Sequence, residues 1–155
     1  MTRREGGLVS RSGFTLIEML VVIVIISALL TLAMPKVKTY VLHETVRSAR
    51  REVTTHLARG RATAVFRGCR AVLHLDEATS RVWITACSIE GTGTDTVGSV
   101  DNFQNHFGVA FTSDGDSVLF TPQGIAMASS SIAMTFTKNG WTENLAITPV
   151  GRPVW

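Results

Sequence analysis

Residues 14–35 read FTLIEMLVVIVIISALLTLAMP, and the understanding of the whole chain turns on that stretch. Between Leu16 and Met34 only Glu18, Ser27 and Thr31 are not apolar. At a helical rise of about 1.5 Å per residue the run spans roughly 30 Å, the thickness of a bilayer's hydrocarbon core. It has none of the period-two alternation of a strand, and nothing interrupts it before Pro35. A soluble helix apolar on every side needs a much larger protein around it than 155 residues provide. The segment therefore enters a membrane at some stage.

A secretory signal peptide is one reading. The basic leader over residues 1–13, with Arg3, Arg4 and Arg11 against Glu5, fits it. The apolar run is long for that role, and the small pair Ser27-Ala28 is followed by further apolar residues instead of a clean cleavage site. A plain membrane anchor is the other reading, and it leaves Glu18 unexplained. An acidic residue at the centre of a membrane helix costs about 2.5–3.5 kcal/mol. The cost falls toward the end of the span, where the side chain can snorkel to the headgroups. A cation able to sit at that depth is the α-amine of a neighbouring subunit, and it exists there only if the chain is cut between Gly13 and Phe14. A small, flexible glycine suits a protease site at the membrane surface.

The string Ser12-Gly13-Phe14-Thr15-Leu16-Ile17-Glu18-Met19-Leu20 closely resembles the prepilin signature of type IV pilins and type II secretion pseudopilins. The resemblance implies that a membrane prepilin peptidase cuts after Gly13 and N-methylates Phe14. It also implies that Glu18 pairs with the N-terminal amine of an adjacent subunit during filament assembly. Pro35 resembles the family's helix-kinking proline. The partners implied are the peptidase, other pilins or pseudopilins, and the membrane. The location implied is a single pass through the bacterial inner membrane, with the head in the periplasm.

Charge divides the remainder. Residues 36–70 carry nine basic side chains against Glu44 and Glu52, a net +7, whereas residues 71–155 carry three against eight acidic ones, a net −5. Such halves suit a subunit that docks on copies of itself or its relatives, since opposite charges steer register. A solvated helix face and nucleic-acid binding are competing readings of the same arginines. Within the basic stretch, Leu42, Val46, Ala49, Val53, Leu57 and Ala64 recur at mostly helical steps. Gly60 costs about 1 kcal/mol against alanine inside a helix, and Gly68 is a candidate C-cap. One helix over about 14–67, bent near Pro35, is expected. His43, His56 and His74 have no metal-ligand spacing and read as surface or packing residues.

From Cys69 onward short strands are expected over 71–75, 81–86, 108–112, 117–121, 132–137 and 145–148, with turns at 76–80, 113–116 and 138–140. Residues 89–105, rich in Gly, Thr, Asp and Asn, read as a long loop, mobile in character. If the first hairpin centres on Ala78, Leu75 faces Arg81, Leu73 faces Trp83 and Ala71 faces Thr85. The same register sets Cys69 opposite Cys87. Directly opposed residues in a non-hydrogen-bonded pair lie about 4.5 Å apart at Cα, at the close end of disulfide geometry. A periplasmic head permits oxidation, so a Cys69–Cys87 bridge is expected, with two buried thiols as the alternative. A one-residue slip would turn the side chains to opposite faces.

Ala58-Arg59 with Ala62, the run Phe120-Thr121-Pro122-Gln123-Gly124 and the pair Gly151-Arg152 resemble the GspH/FimT group of minor pseudopilins and pilins. Members of that group are low-abundance subunits at or near the filament tip. Some FimT-type members bind DNA through a Gly-Arg-x-Arg tail, and here such a contact would fall to Arg152. The second arginine is absent, and the acidic head opposes phosphate. Asp95, Asp101, Asp114 and Asp116 read as loop carboxylates. Asp114-Gly115-Asp116 lacks the remaining ligands of an EF-hand, and Ser129-Ser130-Ser131 reads as a turn or strand edge. No phosphate loop, HExxH or GxSxG occurs, so no catalytic residue, cofactor or metal is expected. The readings converge on an α+β chain: leader 1–13, transmembrane or filament-core helix 14–35, amphipathic helix 36–68 and β-sheet head 69–155. Its long N-terminal helix would pack through its second half on an antiparallel β-sheet.

Overall fold

The structure is a computed structural model that describes residues 13–89, 91–128 and 130–155. The leader through Ser12, and Ser129 of the serine triplet, lie outside the described residues. The chain divides into two compact units, one ending at Thr39 and the other Tyr40–Trp155. Helix α1, Leu16–Arg67, contributes to both and is helical through Pro35. Lacking an N–H, Pro35 leaves the Thr31 carbonyl without its helical donor. In the first unit every described residue is exposed, so its apolar surface is available to lipid or to other helices. Its few hydroxyls bond within the helix. Ser27 Oγ donates to Ile23 O at 2.6 Å, Thr31 Oγ1 to Ala28 O at 2.7 Å and Thr39 Oγ1 to Pro35 O at 3.1 Å. A helix that meets its own polar requirements tolerates a solvent without water. Among the described residues α1 is the one helix long and apolar enough to cross a membrane.

In the second unit α1 buries Val46, Ala49, Val53, His56, Leu57, Gly60 and Ala64, the expected stripe with Gly60 and His56 added and Leu42 half-buried. The helix ends where Gly68 adopts φ +61°. Gly68 N–H then donates to Val65 O and Cys69 N–H to Ala64 O, the pair of bonds that defines a Schellman cap. Among the described residues nine strands follow: β1 Ala71–Asp76, β2 Arg81–Cys87, β3 Thr94–Asn102, β4 Ala110–Ser113, β5 Ser117–Phe120, β6 Ala126–Met127, β7 Ile132–Lys138, β8 Trp141–Ile147 and β9 Pro153–Val154. They form two antiparallel sheets, ordered β3-β2-β1-β5-β6 and β4-β7-β8-β9. A short helix α2, Phe103–Phe107, connects β3 to β4. The β7–β8 hairpin closes on Asn139-Gly140, both at positive φ, as a two-residue turn of this type requires. The strands alternate, with Leu73, Ile84, Val118, Phe136 and Leu145 turned into the core.

Several expectations need correction. Residues 89–105 are largely structured, as β3 and α2, so Asp95 and Asp101 lie on a strand and not in a loop. The last long strand begins at Trp141, not Leu145. The first hairpin is shifted by one residue: Leu75 faces Val82, Leu73 faces Ile84 and Ala71 faces Ala86. Its loop holds four residues, between paired Asp76 and Arg81. Asp76 accepts from the Thr79 backbone and hydroxyl, and Ser80 takes φ +50°. An even-numbered loop moves the centre to a point between Ala78 and Thr79.

Cys69 and Cys87 are nevertheless bridged, 6.2 Å apart at Cα. Cys69 precedes β1 and belongs to the helix cap, so the pleat of the strand does not dictate where its side chain points. Arg67 donates to Cys87 O at 2.6 Å, a second tie between the helix end and β2. The bridge closes a sequence separation of 18. Replacing both cysteines by alanine is expected to lower stability by about 3 kcal/mol, the value for loops of this length. Urea unfolding under non-reducing conditions measures it. A loss well under about 1 kcal/mol would show that the helix cap and Arg67 hold this end without the bridge.

Candidate functional site

Two regions carry the sequence's functional candidates. In the head, the three short motifs converge. Gly60 packs against the Phe120 ring, and a Cβ there would sit 3.0 Å from it. Arg61 lies over the same ring, 6.0 Å from its centroid, and donates to the carbonyls of Val150 and Gly151 at 3.4 and 3.2 Å. Gly124, at φ +77°, lies against Val65 and Arg61. Gly151, buried at φ +78°, would bring a Cβ to 2.6 Å from Ala126 Cβ. The glycines of all three motifs are therefore packing residues that let the C-terminal turns close onto α1. Gly151→Ala combines a left-handed φ with a contact that rigid neighbours cannot relieve, and is expected to cost about 2 kcal/mol. Thermal unfolding of the full chain in detergent checks it, and an unchanged Tm would count against this packing role.

The basic face of α1 is partly consumed within the head. Glu143 receives Arg50 at 2.7 Å and Arg47 at 3.3 Å, and Arg51 meets Glu44 at 3.1 Å. Arg50 also lies 5.5 Å from the Trp155 ring centroid. Complementarity expected between subunits thus operates inside this one. Arg152 is exposed and contributes its backbone N–H to Thr148 Oγ1. His43 lies against Trp141, with ring centroids 3.5 Å apart. His74 stacks on Trp83 and bonds Thr85 Oγ1 at 2.8 Å; burial lowers its pKa. His56 is 1 % exposed, and its Nε2 lies 2.8 Å from Asp101 Oδ2 and 3.9 Å from Glu52 Oε1. The close contact is poorly aligned, and neither ring nitrogen has a hydrogen-bond partner. Burial pushes the imidazole pKa down, against the pull of Asp101 and Glu52.

In the N-terminal unit Gly13 has open space around its Cα, and Phe14 is 75 % exposed. Thr15 and Glu18 make reciprocal contacts. Glu18 N–H donates to Thr15 Oγ1 at 3.2 Å, and Thr15 N–H to Glu18 Oε2 at 3.5 Å. This is a capping box, whose signature Thr15-Leu16-Ile17-Glu18 stands in the sequence. Glu18 therefore has a local role at the helix start, beyond any intersubunit one.

A family profile described as "Prokaryotic N-terminal methylation motif" matches residues 9–34. The chain thus carries the methylation motif at its apolar N-terminal segment. Its head has the pilin fold as well. It is similar to the type IV minor pilin FimU of Pseudomonas aeruginosa, strain PAO1, with TM-scores of 0.57 and 0.53 for two crystal forms. Identity is 17 %, and the first alignment covers 72 % of this chain and 88 % of that one. It is also similar to the minor pseudopilin EpsH from the Type 2 Secretion System of Vibrio cholerae, with TM-score 0.52 and 11 % identity. That alignment covers 69 % of this chain and 91 % of EpsH. None of the curated proteins compared matches the chain. The methylation motif implies peptidase processing and assembly with other pilins. The apolar helix fits a membrane-anchored subunit.

Proposed function

We propose that this chain is a minor pilin or pseudopilin, a structural subunit and not a catalyst, acting at the initiation or tip of a type IV pilus or type II secretion filament. In this reading a prepilin peptidase cuts between Gly13 and Phe14 and methylates the new Phe14 amine. Before assembly the subunit waits in the bacterial inner membrane with its head in the periplasm. The observation that carries the reading is the methylation motif over residues 9–34, coinciding with the first part of α1, whose apolar side chains through Thr39 are all exposed. Exposed apolar surface on that scale requires lipid or neighbouring helices to cover it. Similarity of the head to one minor pilin and one minor pseudopilin supports the minor-subunit role. Intact mass and N-terminal peptide mass spectrometry of membrane-extracted protein tests it. A chain beginning at N-methyl-Phe14 is expected; an intact Met1 or a start near Ala28 would overturn the proposal.

A further inference from the structure

We propose that Glu52, His56 and Asp101 form a binding site for a divalent transition-metal cation of the Zn²⁺ class, which staples strand β3 to helix α1. The proposal is independent of filament assembly. Glu52 and His56 are one helical turn apart, and Asp101 comes from the strand paired with β2. One ligand atom from each lies within 4.8 Å of the others. In a tetrahedral site with bonds of about 2.0–2.1 Å, ligand atoms stand roughly 3.4 Å apart. A small opening of the His56–Asp101 contact and a rotation of the partly exposed Glu52 therefore suffice.

Two observations point to a ligand instead of a simple ion pair. His56 is 1 % exposed, aims Nε2 between two carboxylates and has no hydrogen bond at either nitrogen. A buried polar group left in that state is costly, and native proteins supply it with a partner. Asp101 is already oriented, since Ser99 Oγ donates to its Oδ1 at 2.9 Å and leaves Oδ2 facing the imidazole. Such support of a ligating carboxylate is characteristic of metal sites. The imidazole nitrogen disfavours Ca²⁺ and Mg²⁺, which bind through oxygen, and favours a borderline metal.

β3 is the edge strand of its sheet and reaches α2 through Asn102, so a cation here would fix the outer margin of the head.

The test uses the full chain in detergent, free of any histidine tag and stripped with chelator. ZnCl₂ is titrated calorimetrically, in parallel with CaCl₂ and MgCl₂. One equivalent of Zn²⁺ is expected to bind and to raise Tm. Glu52→Gln and Asp101→Asn are each expected to weaken binding by more than about tenfold, as loss of an orienting partner alone does. X-ray absorption of the wild-type Zn²⁺ form is expected to show one imidazole nitrogen among oxygen ligands, a readout that does not depend on variants folding. Absence of saturable one-to-one binding would overturn the site. So would wild-type affinity in both variants, or a shell with more than one imidazole, which would place the metal on His43, His74 or His106.

Discussion

Phe103→Ala is expected to lower the stability of the head by about 3–5 kcal/mol, the range for truncating a fully buried phenylalanine. Phe103 is 0 % exposed. Its ring lies 5.7 Å from those of Phe107 and Phe111 and 6.3 Å from that of Phe136. Phe111 and Phe136 belong to the second sheet, whereas Phe103 follows directly from β3 of the first. The side chain therefore fills space where the chain passes from one sheet to the other, and its removal leaves a cavity lined by rigid rings. Its backbone is equally committed, since Phe103 N–H donates to Ser80 O at 2.8 Å. Asn102 caps α2 through Asn105 N–H at 2.8 Å, and Gly108 ends it at φ +60°. Urea unfolding of the full chain in detergent, followed by near-ultraviolet circular dichroism, measures the loss. A change below about 1 kcal/mol would mean that the cavity collapses and that the two sheets do not depend on this residue.

That phenylalanine also marks the limit of what the sequence discloses. The membrane helix is legible because nineteen residues of nearly unbroken apolarity admit few physical solutions, and the stripe from Val46 to Ala64 is legible because helical spacing repeats. The segment 89–105 hides its structure. β3 has both faces largely exposed, with Thr, Asp, Gly and Ser along it, so it lacks the alternation that betrays a half-buried strand. It is held by pairing to β2 and by the tie from Asp101 to the helix, both long-range. α2 has only five residues, too short for periodicity, although its Asn102 cap and Gly108 stop were readable. The hairpin register differs by one residue because the Asp76–Thr79 side-chain bonds and the positive φ of Ser80 close a four-residue turn. The disulfide was reached through that wrong register and survives because Cys69 belongs to the helix cap. His56 reads as a packing residue in the sequence because Asp101 lies 45 positions away from it, and only folding brings the two together with Glu52. The Thr15–Glu18 capping box was fully legible and changes how Glu18 must be tested.

Glu18→Ala and Glu18→Gln are expected to fail equally in filament incorporation, each by on the order of a hundredfold, while cleavage and methylation at Phe14 stay close to normal. The argument rests on what each substitution removes. If Glu18 acts through a charge pair with the Phe14 amine of an adjacent subunit, either change leaves that ammonium unpaired in a low-dielectric filament core. Breaking a buried pair in this way costs about 3–5 kcal/mol, and about 1.4 kcal/mol is a factor of ten. If Glu18 acts only through the box with Thr15, glutamine keeps an acceptor in place and should behave as the native residue. Alanine would then lose about 1 kcal/mol of helix-end stability and only several-fold in incorporation. Processing is a control in both variants, because the proposed cleavage between Gly13 and Phe14 acts on a single chain and needs no partner subunit. Quantitative mass spectrometry of sheared filaments against the membrane pool, with N-terminal peptides from each fraction, gives both readouts from one sample. Near-native incorporation of Glu18→Gln would assign this carboxylate to the helix start and remove it from subunit pairing.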